Sequence, residues 1–183
     1  MDKNALKRLI IPYTRDGEWE CDYDLRGVIR FIRQQEEDCG AIDLDPDFQR
    51  GHVWTSAQQE AWLIHILRGG KSGRRIFFNH PGWKSGYNGI MELIDGKQRI
   101  EAIRAFLNNE VTLWGYTYKE LCPDATTARL VMRHCTIKIN VNTLKTREEV
   151  LHWYLEMNDG GTPHTEAELQ KVRDMLRAER TWN

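Results

Sequence analysis

A carboxylate, an ammonium, an amide and a guanidinium fall within five residues at Asp95-Gly96-Lys97-Gln98-Arg99. Apolar Met91, Leu93 and Ile94 run into this stretch, and Ile100, Ile103, Phe106 and Leu107 leave it at helical spacing. Asp95-Gly96 is the strongest turn signal in the chain. The pattern predicts strand, tight turn, helix. Such a turn sets two cations beside the outward-pointing N–H groups of a helix N-terminus, where the dipole favours an anion, so it suits phosphate. The same residues also make an ordinary strand-to-helix turn with solvated charges, and short motifs of this kind often mislead.

Other polar groups compete for chemistry. Gln49 and Arg50 lie between Phe48 and Trp54, two large side chains able to anchor a loop, although a plain surface loop reads equally well. Pro46 holds Asp45 extended. Asp43, Asp45 and Asp47 alternate, and a metal site is conceivable there, but the Gly and Glu of a calcium loop are missing. Lys71-Ser72-Gly73-Arg74-Arg75 is a basic loop that can approach a polyanion or simply be solvated. No G-x-x-x-x-G-K-[ST] phosphate loop occurs. The six histidines show no metal-ligand spacing and are expected to be structural, His52 being the one that falls inside the Phe48–Trp54 stretch.

The elements that must position these groups read as follows. Leu9–Tyr13 suggests a lead-in strand. Asp24 caps a helix with Leu25, Val28, Ile29 and Ile32 on one face, closed by Gly40. Ala41–Leu44 is a short strand. Ser56-Ala57-Gln58-Gln59 fits a capping box before the stripe Trp62, Leu63, Ile66 and Leu67, which Gly69-Gly70 ends. Ile76–Phe78 and Met91–Ile94 look like a hairpin with a long excursion. A hairpin or loop surrounds Gly115, and Ala125–Met132 is weakly helical. Thr136–Val141 alternates strictly and predicts a strand with one wet face. Capping boxes at Thr146–Glu149 and Thr165–Glu168 open two final helices, the first stopping at Asn158-Asp159-Gly160-Gly161.

With 183 residues the chain is expected to be one domain, 1–183, with a core over about 25–145 and C-terminal helices over about 146–180. A net charge of −1 gives no global pull toward nucleic acid, so any DNA contact needs a local basic patch. No apolar run nears the roughly 20 residues that span a membrane, and no signal-peptide pattern opens the chain, so the expected location is cytoplasmic. The four cysteines are scattered without a C-x-x-C pair, which favours reduced thiols over a disulfide framework or zinc site.

Three stretches taken together resemble the ParB-like domain at the N-terminus of GmrSD-type modification-dependent restriction enzymes. They are Phe48-Gln49-Arg50 with Trp54, Asp95-Gly96-Lys97-Gln98-Arg99, and Asn158-Asp159-Gly160-Gly161-Thr162-Pro163. The family pattern is an F-Q-R…W loop, a D-G-Q-Q-R turn and an N-x-G-G-x-P tail, and the resemblance covers roughly residues 25–175. It implies an α+β fold of the ParB/sulfiredoxin-like type, a small mixed sheet with surrounding helices and a C-terminal helical segment. It also implies binding of a nucleoside triphosphate with Mg²⁺, usually with hydrolysis, in a setting of modified DNA. Asp95, Gly96, Gln98 and Arg99 match the turn, Gln49 and Arg50 the first loop, and Asn158, Gly160 and Gly161 the tail. Lys97 replaces the first Gln of the pattern, adding a point charge and removing an amide. The family often carries an H-N-H nuclease domain for which 183 residues leave no room, so a separate nuclease subunit is the expected partner.

On that resemblance Asp95, Gln98 and Arg99 are the expected catalytic residues, with Asp95 the metal ligand. Gln49, Arg50, Gly96, Lys97, Arg99, Asn158 and Gly160 are expected to hold the nucleotide. Three functions stay open. The simplest is a Mg²⁺-dependent NTPase coupled to DNA modification or restriction. A kinase acting on a hydroxyl of DNA or another acceptor would use the same cradle. A non-catalytic, nucleotide-switched DNA-binding module needs no turnover.

Overall fold

The computed structural model describes residues 17–48, 54–158 and 166–181. The lead-in strand expected at Leu9–Tyr13, the loop residues Gln49, Arg50 and His52, the glycines Gly160 and Gly161, and the Thr165 cap lie outside them.

The fold is α+β, with seven helices and a five-stranded mixed sheet among the described residues. In chain order the strands are β1 (Trp19–Tyr23), β2 (Ile42–Asp43), β3 (Arg75–Asn79), β4 (Met91–Asp95) and β5 (Ile137–Asn142). The sheet order is β1-β5-β3-β4-β2. β1 runs antiparallel to β5, β5 parallel to β3, β3 antiparallel to β4, and β4 parallel to β2. The β3–β4 pair is the expected hairpin, and its register shifts between Phe77 and Phe78.

The helices are α1 (Leu25–Cys39), α2 (Ser56–Leu67), α3 (Lys97–Leu107), α4 (Tyr118–Leu121), α5 (Ala125–His134), α6 (Arg147–Asn158) and α7 (Glu166–Thr181). Local chemistry explains most of their ends. Asp24 accepts from the Gly27 N–H at 2.6 Å and starts α1, and Gly40 at φ 73° ends it. At α2 the capping box is Thr55 with Gln58, one residue earlier than the sequence suggests. Thr55 keeps extended backbone angles, so Ser56 already lies in the helix. The stretch around Gly115 is a tight turn, with Leu113 and Tyr116 bridged and both Trp114 and Gly115 at positive φ.

The sheet separates two apolar clusters. On one face, Leu25, Val28 and Ile32 of α1, Leu63 and Ile66 of α2, and Ile100, Ile103 and Phe106 of α3 pack on Ile76, Phe78, Leu93, Ile137 and Ile139. On the other, Val150, Leu151, Trp153 and Tyr154 of α6 and Val172 and Leu176 of α7 cover Phe77, Ile94 and Phe48. The period of two along each strand sends neighbours to opposite clusters.

β5 departs from its expected wet face. Asn140 and Asn142 are buried, and only Lys138 is half-exposed, paired with Glu20 at 2.7 Å. The cause is the covered second face: Asn140 lies in register with Phe77, which the C-terminal helices cover. Asn79, in register with Asn142, accepts from the Leu144 N–H at 2.8 Å and donates to the Leu144 carbonyl at 3.2 Å, whereas Asn140 Oδ1 meets no donor among the described residues.

Candidate functional site

β4 delivers Asp95 at its last residue, and Gly96 turns the chain into α3. Gly96 has φ 121°, and a Cβ there would lie 2.9 Å from Ile76 Cγ1, so backbone angle and close packing both demand glycine. No side chain among the described residues caps α3, and its first turn carries Lys97 and Arg99 but no acid. The predicted strand, turn and helix are therefore present, with the cations at the positive end of the helix dipole.

The charged groups are partly occupied by one another. Arg99 Nη1 donates to Asp95 Oδ2 at 3.0 Å and to the Arg75 carbonyl at 2.6 Å. Among the described residues both bonds use Nη1 and none uses Nη2. Lys97 Nζ is ion-paired with the exposed Asp45. Gln98 Oε1 accepts from the Trp54 N–H at 2.7 Å. That bond fixes the Trp54 end of the stretch against α3 and commits the side-chain carbonyl of Gln98.

The near end of the same stretch is anchored in the core, with Phe48 buried and edge-to-face with Tyr154 at 5.0 Å. Gln49 and Arg50 thus follow a residue that is packed and precede, by a few positions, one that is hydrogen-bonded. Asn158, the first residue of the tail motif, donates to the Tyr154 carbonyl at 2.6 Å at the end of α6.

The alternating acids do not converge. Asp43 Oδ1 accepts from the Asp45 N–H at 2.9 Å, Asp45 pairs with Lys97, and Asp47 pairs with Arg147. Among the described residues no three His, Cys, Asp or Glu side chains gather to hold a metal. Glu92 on β4 is half-buried. Burial holds its carboxyl above the usual range, Arg147 opposes that, and Asp43 and Asp47 reinforce it. The basic loop at Lys71–Arg75 is partly structural: Arg74 turns inward, donating to the carbonyls of Ile66, Gly70, His134 and Thr136 at the ends of α2 and α5. His80 is fully buried, and burial lowers its basicity.

Sequence reasoning missed Arg147, Glu92 and Lys171 as neighbours of this region, and read Asp45 only as one of three alternating acids. Arg147 carried a signal only as part of a helix cap.

No curated protein and no solved structure matches the chain. A family model described as the GmrSD restriction endonuclease N-terminal domain matches residues 28–173 of the 183. That span runs from the first turn of α1 to the middle of α7 and includes β4, the Asp95 turn and α3. No described helix is long and apolar enough to cross a membrane. The chain therefore belongs to the GmrSD N-terminal domain family, and with it to restriction systems linked to DNA modification.

Proposed function

We propose that the chain binds a nucleoside triphosphate at the Asp95 turn and transfers its terminal phosphoryl group, most simply to water, as the nucleotide-driven part of a restriction system. The observation that supports this best is the start of α3. Lys97 and Arg99 sit at the positive end of a helix dipole, an arrangement unfavourable to the helix by itself, and Gly96 brings no capping side chain. An anionic ligand resolves both conditions.

In this reading Arg99 Nη2 binds a phosphate oxygen while Nη1 stays held by Asp95 and the Arg75 carbonyl, so the guanidinium is already oriented. Lys97 exchanges Asp45 for phosphate. Backbone N–H groups of the first α3 turn supply further donors, which stabilise charge that builds on the transferring group. Gln98 keeps the Trp54 end of the first loop in place. Gln49, Arg50, Asn158 and Gly160 would complete the cradle.

Mg²⁺ in such sites takes one or two carboxylates together with the substrate phosphates, so a single Asp95 suits it. The ion would neutralise phosphate charge. The partners in this reading are modified DNA and a separate nuclease subunit, and the setting is the cytoplasm.

The test is phosphate release from ATP, GTP, CTP and UTP with Mg²⁺, with and without plain or modified DNA, beside Arg99→Ala. Free phosphate lost in the variant is the expected result. Nucleoside diphosphate without free phosphate, only when DNA is present, means transfer to a DNA hydroxyl. Nucleotide binding without turnover under every condition would reduce the site to a switch.

A further inference from the structure

Arg147 is the first residue of α6, yet its guanidinium serves the segment on the other side of β4. It pairs with Asp47, lies 3.4 Å from Glu92 Oε1, and stands over the Phe48 ring at 4.8 Å from the centroid. Lys171 of α7 donates to the Asp47 carbonyl at 2.7 Å. The same short segment offers Asp45 to Lys97. Segment 43–48 is thereby gripped by the C-terminal helices on one side and by the start of α3 on the other.

The chemistry calls for arginine. A planar guanidinium can meet two carboxylates at its edge while stacking a face on an aromatic ring, and an ammonium cannot do all three. The half-buried Glu92 also needs a counter-charge. Helix docking does not explain the arrangement. Val150, Leu151, Trp153 and Tyr154 already seat α6 on the sheet, and the contacts of Arg147 go to segment 43–48 and to β4.

We propose that Arg147 is a positioning residue that locks segment 43–48 between the C-terminal helices and the Asp95 turn, so that the placement of Lys97 depends on a side chain from α6. The lock rests on reading that turn as the nucleotide site. The C-terminal helices then belong to the site's framework rather than forming an appendage.

Two readouts on the full chain test it, with Arg147→Lys, Arg147→Ala and Asp47→Asn. The first is hydrogen exchange without ligand, over 43–48, 95–99 and, as control, 137–141. Both Arg147 variants are expected to exchange faster in the first two segments with the control unchanged. Unchanged exchange at 95–99 would overturn the lock. If Arg147→Ala does not fold, Asp47→Asn, which keeps the Glu92 and Phe48 contacts, decides the matter: faster exchange at 95–99 supports the lock and no change overturns it. The second readout is nucleotide turnover, where Arg147→Lys is expected to raise KM about tenfold with kcat within about twofold. A fall in kcat at constant KM would make Arg147 a transition-state group and overturn a positioning role. Should the wild-type chain neither bind nor hydrolyse nucleotide, the nucleotide reading fails while the exchange data still decide the lock.

Discussion

Two helix starts in this protein solve the same problem in opposite ways. At α6, Thr146 Oγ1 accepts from the Glu149 N–H at 3.2 Å, while Glu149 Oε2 accepts from the N–H groups of Thr146 at 3.0 Å and Lys145 at 2.9 Å. Its first turn carries two acids, Glu148 and Glu149. The cap and both acids favour the helix itself, against one cation, Arg147, at its first position. At α3 a glycine replaces the capping side chain, and lysine and arginine stand where acids belong. Local stability is given up at one start and secured at the other. Such a departure from helix rules is expected where a ligand, rather than the chain, completes the structure.

The largest effect that would break this contrast is at Arg99. Arg99→Ala should lower turnover by about 100-fold or more, the usual loss when one donor to developing charge is removed, while a thermal melt shows the fold retained. Normal turnover in that purified variant would make α3 an ordinary helix start. Gly96→Ala comes next. With φ 121° and a Cβ contact of 2.9 Å to Ile76, it should cost about 2 kcal/mol in urea unfolding and weaken nucleotide binding as the turn shifts.

Thr146→Ala sharpens the comparison from the other side. It should cost about 1 kcal/mol of stability and raise nucleotide KM less than Arg147→Lys does, because the cap only steadies the turn that carries Arg147. The smallest effect is that of acid. The backbone N–H groups of Thr146 and then Lys145 hold the Glu149 carboxyl below its ordinary value of 4.5. A depressed acid contributes stability that is present above the unfolded value and lost as pH falls through the folded one. The first turn of α6 should therefore fray below about pH 4.5, seen as faster amide exchange at 147–150, whereas the start of α3 carries no such acid cap.

Much of the site's framework was legible because it rests on local chemistry. Asp95-Gly96 reads as a turn from two adjacent residue types, and the Ile100, Ile103 and Phe106 spacing reads as a helix from a period of 3.6. Thr146 and Glu149 announce a cap in four residues. Where local chemistry offered two neighbouring solutions, as with Thr55 and Ser56, the reading slipped by one position. β5 misled for a different reason: its alternation is real, but its polar side shares the face of Phe77, and only the fold brings the C-terminal helices over that face.

The sequence by itself determined the strand, the glycine turn, the cationic helix start and the family signature, because each is written in residues close together along the chain. Only the tertiary structure decided who stands opposite them. The contact of Trp54 with Gln98, of Asp45 with Lys97, and of Arg147 with Asp47, Glu92 and Phe48 joins residues far apart in the chain. Such pairings follow from strand order and from which face of the sheet each helix covers, and no spacing within one stretch encodes them.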